Sequence, residues 1–100
     1  MTRRLVLREE ALSDVESAAS WYDDQQPGLG DDFVTEARKL FQQIAEQPAR
    51  FRAVNNEVRR APLQRFPYAA YFFVDEEQVL ILTLVHKRRN PETWRLRIRS

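Results

Sequence analysis

Residues 79–89, VLILTLVHKRR, constrain the fold more than any other stretch of this chain. Seven consecutive residues rich in Val, Ile, Leu and Thr describe a strand buried on both faces, and such a strand must lie inside a sheet. The run ends in the only histidine of the sequence, His86, followed by Lys87, Arg88 and Arg89. A rigid central strand is therefore expected to deliver an imidazole and several phosphate-binding groups to one rim.

The remaining chain must supply the layers around that strand. One hundred residues suffice for a single domain, expected over 1–100, and leave no room for a second core. Arg4–Arg8, RLVLR, reads as a short strand at or near a sheet edge. Ala11, Leu12, Val15, Ala18, Ala19 and Tyr22 fall at helical spacing with polar residues between them, which predicts an amphipathic helix. Trp21 lies off the centre of that stripe, either packed on a second helix or left for a partner, with packing the primary expectation.

Both glycines and a proline fall in Gln25–Gly30, so a turn is expected there. Asp31 and Asp32 then open a second helix at the positive end of its dipole, with Phe33, Ala37, Leu40, Phe41 and Ile44 on its buried face and Pro48 as its stop. Residues 51–56 read as a loop or a short strand. Val58–Gln64 reads as a strand that Pro62 confines to an edge or a bulge. PYAAYFFV from Pro67 forms the next strand, and Asp75-Glu76-Glu77 turns it back into the opening one. The expected fold class is α+β: a two-helix hairpin packed on a mostly antiparallel sheet, in the order β-α-α-β-β-β, with a short basic C-terminal tail.

The net charge of +1 conceals an asymmetry. Residues 1–48 carry five Lys/Arg against ten Asp/Glu, a net −5, whereas residues 49–100 carry eleven against five, a net +6. Ten of the eleven later cations are arginine, the side chain suited to bidentate phosphate contacts, which points to nucleic acid or another polyanion. The alternative is that the two halves pair within the fold. With no cysteine and one histidine, a metal site and a disulfide framework are not expected, nor is any cofactor. No segment approaches the length of a membrane span, and the cytoplasm is the expected compartment.

Four stretches together resemble the RelE/ParE superfamily of toxins from bacterial type II toxin-antitoxin modules. They are WYDDQQPGLGDDF (residues 21–33), the RR-x-P-L-x-RFPY segment (59–68), the hydrophobic strand ending in His86, and RRNPETW (88–94). The PGLG hairpin and the H-x-x-R-x-P-x-x-W ending resemble the ParE-like and plasmid-stabilisation members most. The resemblance implies a toxin silenced by a cognate antitoxin, as a hetero-oligomer. It leaves the target open between DNA gyrase, bound without a known catalytic residue set, and messenger RNA cut on the ribosome.

A ribonuclease that uses the RNA's own 2′-hydroxyl needs a base, an acid and cations on the phosphate. Its candidates here are His86, Arg60, Arg65 and Arg88, without a metal. A target- or nucleic-acid-binding rim would use Arg59, Lys87, Arg89, Trp94 and Arg95, and an antitoxin would cover the helix face near Trp21 and Leu29. The inventory for catalysis is thin, because no second histidine exists and no tyrosine follows Trp94. His86 equally suits a strand end that makes one hydrogen bond, and Trp94 a lid over the open side of the sheet.

Overall fold

A computed structural model describes residues 2–55 and 57–88. Strand β1 (Arg4–Leu7) leads into helices α1 (Glu9–Gln25) and α2 (Leu29–Glu46), then a 3-10 turn at Pro48–Arg50. Strands β2 (Arg52–Ala53), β3 (Val58–Pro62), β4 (Tyr68–Val74) and β5 (Gln78–His86) follow. The sheet order is β1-β5-β4-β3-β2. The β1–β5 pairing is parallel and the other three are antiparallel.

The α+β class and the helical hairpin are as the sequence predicts. Two details differ. The ambiguous residues after Pro48 hold a 3-10 turn and a two-residue strand, too short to show a period, so four strands rather than three follow the helices. α2 begins at Leu29, two residues before the aspartates, because Gly28 at φ 93° supplies the left-handed residue that aims the chain into the helix. The Asp23 carboxylate accepts the N–H groups of Gly28 and Gly30 at 3.0 and 3.2 Å, which ties the turn to the end of α1.

The apolar run 79–85 is β5, flanked by strands on both sides as expected. Its helix-facing residues Val79, Ile81 and Leu84 join Phe33, Ile44 and Phe72 in the main core. Leu82 and Val85 face the other way and cluster with Val58, Ala69 and Tyr71; none of the described helices lies over that second face. Both sets must shift face together at one point, and an irregularity does this: Tyr71 pairs with Thr83 but Phe72 pairs with Ile81, leaving Leu82 as an extra residue. At the opposite end of the sheet the β4–β5 turn is locked by Asp75, whose carboxylate accepts the N–H groups of Glu77 and Gln78 at 2.8 and 2.9 Å. Those bonds, the Gln78 one foremost, hold the Asp75 carboxyl below its ordinary pKa.

Charge is sorted by layer. Residues 9–46, which contain both helices, carry ten Asp/Glu against Arg38 and Lys39, a net −8. The described residues outside that range carry ten Lys/Arg against four Asp/Glu, a net +6. The asymmetry between sequence halves is, in space, an acidic helix layer backed by a basic sheet.

Candidate functional site: the aromatic and cationic pole

The C-terminal end of β5, the start of β4 and the tip of the helical hairpin meet at one pole of the molecule. The contact is made by rings. Tyr22 on α1 stacks on Phe33 of α2 at 5.4 Å between centroids and meets Phe66 edge-on at 4.8 Å. Phe33 meets Tyr68 at 5.2 Å, and Tyr68 meets the His86 imidazole edge-on at 5.2 Å. Trp21 joins from outside, edge-on to Tyr22 at 5.0 Å. Such offset and edge-to-face pairs each add roughly 0.5–1.5 kcal/mol beyond the area they bury.

The inner rings of this chain are core, and the outer ones remain open. Phe33 and Phe66 are buried, Tyr22, Tyr68 and His86 are half-buried, and Trp21 is 56% exposed. Trp21 thus stands outside the core rather than packed on the second helix, because the i, i+3, i+4 stripe of α1 is filled by Ala18 and Tyr22. Leu29 packs at the hairpin tip against the main core. Burial pushes the Tyr22 hydroxyl above its ordinary pKa, and the neighbouring Tyr68 adds to the effect.

Cations surround the rings. Lys87 and Arg88 are exposed just past β5. The Arg88 N–H donates to His86 Nδ1 at 3.0 Å, so the neutral imidazole carries its proton on Nε2. Arg65 sits with its guanidinium 5.3 Å from the Phe66 ring centroid and 3.6 Å from the Asp32 carboxylate. The same loop is pinned by Glu36, whose carboxylate accepts the N–H groups of Gln64 and Arg65 at 3.0 and 3.1 Å.

The pole therefore unites His86, Arg65, Lys87 and Arg88 with Trp21 and Leu29. Arg59 and Arg60 are elsewhere. Arg59 pairs with Phe72, on the helix side of the sheet, and donates to the Phe51 carbonyl. Arg60 pairs with Tyr71, on the second face, whereas His86 pairs with Tyr68, three residues further along β4. One intervening strand, β4, and about 10 Å of strand length separate Arg60 from His86, with their side chains on opposite faces. Arg89, Trp94 and Arg95 lie outside the described residues.

Sequence reasoning did not single out Tyr22 and Tyr68 as site residues. Each lies within an apolar pattern and looks like core; only the exposure of one ring edge distinguishes it. A second surface is of the kind expected of a helical hairpin on a sheet, a groove beside apolar residues. A groove of about 720 Å³ runs between the helices and β1, walled by Leu5, Leu7, Leu12, Val34, Ala37 and Phe41. Leu12, expected on the buried stripe of α1, is 50% exposed at its mouth. Among the described residues no group of His, Asp and Glu is arranged to hold a metal ion, and no helix is long and apolar enough to cross a membrane.

Residues 5–91 match the model of a protein family described as the ParE toxin of type II toxin-antitoxin system, parDE. Among solved structures the fold matches a chain of the chromosomal ParDE TA system from P. aeruginosa, with a TM-score of 0.75 and 18% identity over 85% of this chain and 96% of that one. No curated protein gives a significant match to the sequence.

Proposed function

We propose, from the premise that this chain belongs to the ParE toxin family of type II toxin-antitoxin systems, that it arrests growth by binding DNA gyrase and is neutralised by a cognate antitoxin. The observation that supports binding over catalysis is the separation of the candidate catalytic groups. A phosphate held at His86 would have Arg65 and Arg88 near it but not Arg60, and the group beside the imidazole among the described residues is the Tyr68 phenol rather than a second histidine. A lone positioned acid or base supplies only about 10²- to 10⁴-fold. What the pole does offer is an amphipathic aromatic surface ringed by arginine and lysine, the composition of a protein-binding hot spot.

The alternative is a ribosome-dependent messenger RNA endonuclease, in which the ribosome would supply the missing positioning. Induction of the toxin in cells separates the two readings. Gyrase poisoning gives double-strand breaks and filamentation with intact transcripts; cut transcripts without breaks would replace it by the nuclease.

Antitoxin binding rests on the helical hairpin. Trp21 and Leu29 at its tip, the apolar groove behind Leu12, and the outer edge of β1 present features that a helical or extended segment can occupy. Co-expression with the neighbouring small open reading frame should give one hetero-oligomeric peak on size exclusion. Two separate peaks would refute the pairing.

A further inference from the structure

We infer that the sheet face turned away from the helices is the docking site of the chain's own C-terminal segment, residues 89–100, laid across it with Trp94, Leu96 and Ile98 inward. This goes beyond the gyrase reading and does not depend on it.

The face is apolar and closed to solvent. Val58, Ala69, Tyr71, Leu82 and Val85 are each no more than 8% exposed, with Val54, Phe73 and Leu80 packed around them. Side chains stand roughly perpendicular to a sheet, so neighbours on the same face shield their flanks and leave their outer ends open. A tyrosine, a leucine and two valines reach this burial only under a further layer. No described helix supplies that layer, since helical residues join only the other cluster. Outside the described residues lie Met1, Asn56 and residues 89–100, and only the last stretch is long enough to cover three strands.

The chain leaves β5 where such a cover has to begin. The Lys87 N–H donates to the Pro67 carbonyl at 2.7 Å, which holds the chain to the start of β4 one residue past His86, and Lys87 and Arg88 then form a turn. From Val85 to Leu80 the face runs about 17 Å along β5, and a segment of this length, fully extended, reaches up to about 40 Å. The outer edge of β5 is a poorer seat. The Leu84 N–H that an added strand needs there already donates to the Asp14 carboxylate.

The segment carries a matching pattern. Residues 94–99 read WRLRIR, apolar and cationic in strict alternation. A period of two puts Trp94, Leu96 and Ile98 on one side of an extended segment and Arg95, Arg97 and Arg99 on the other. Docked with its apolar side down, the segment keeps the three arginines in solvent, where they continue the cations of Lys87 and Arg88. Trp94 then belongs to the core and Arg95 to the surface that a target meets. A second copy of the chain is a poorer occupant, because it leaves a tryptophan, a leucine and an isoleucine of each tail in water.

The chain has no cysteine, so one introduced thiol reports on the face. In the full-length chain Val85→Cys should react with a maleimide far more slowly than the exposed control Ser17→Cys, and adding Leu96→Ser/Ile98→Ser should raise its rate at least about tenfold. The same two serines should lower the melting temperature by about 10 °C or more. Arg95→Gln/Arg97→Gln/Arg99→Gln should leave the labelling rate unchanged and the melting temperature within about 2 °C. In a Trp21→Phe background Trp94 is the sole tryptophan, and its emission should be blue-shifted and resistant to acrylamide until urea unfolds the chain. That measurement and the Val85→Cys rate decide the matter even if the serine variant does not fold. Rapid labelling of Val85→Cys, a solvent-exposed Trp94 spectrum, or protection that arises only in a dimer or only with the antitoxin bound would each overturn the docking.

Discussion

Past Leu7 no strand among the described residues lies beside the outer edge of β5, and the Asp14 carboxylate of α1 serves the edge there. It accepts the Thr83 hydroxyl at 2.8 Å and the Leu84 N–H at 2.9 Å, and Thr83 is fully buried. Asp14→Ala leaves both donors without that acceptor, which should cost about 1–3 kcal/mol in a urea titration. Gly30 marks the closest approach of the two helices, because a Cβ placed there would lie 2.5 Å from the Ala19 carbonyl oxygen. Gly30→Ala must push backbone apart and should lower stability by about 1–3 kcal/mol. Tyr22 gives the pole a pH response. Its hydroxyl is held neutral above the ordinary tyrosine pKa, so its contribution is intact below about pH 10. That contribution is lost as pH rises through the folded-state value. Tyr22→Phe should therefore make the melting temperature less sensitive to alkali between neutrality and pH ~11.

At the scale of elements, β5 was the most legible part of the chain and β2 the least. Seven apolar residues have only one comfortable place, between two other strands, whereas two residues carry no period at all. The hairpin was legible from its punctuation, Pro27, Gly28 and Gly30, because few residues tolerate the left-handed turn and the close packing that the helices need. The pole was only half legible. His86 to Arg88 stood out by residue type, but the rings behind them were indistinguishable from core until the sheet register placed Tyr68 beside His86. The face on which Arg60 projects depends on pairing with β4, which no local pattern reveals. The exposed hairpin tip carries its own prediction. Trp21→Ala should weaken the complex with the antitoxin by about 2 kcal/mol, roughly thirtyfold in Kd by calorimetry, with little change in melting temperature of the free chain. Unchanged affinity would remove Trp21 from that interface.

Over the whole molecule, a five-stranded sheet carries an acidic helical layer on one face and gathers its cations on strands and strand ends. This arrangement separates two kinds of partner. An apolar groove and an exposed tryptophan on the helices suit a protein segment, while arginines at the sheet margin suit a polyanion. The pole joins the two layers, since its rings come from α1, α2, β4 and β5 together. On the proposed reading this pole grips gyrase without chemistry at His86. A supercoiling assay with purified gyrase and two forms of the chain, wild type and His86→Ala, tests that most directly. Inhibition of supercoiling by both, with comparable potency, is the predicted result. No inhibition by the wild-type chain, or a drop of at least about a hundredfold in potency on removing the imidazole alone, would contradict it.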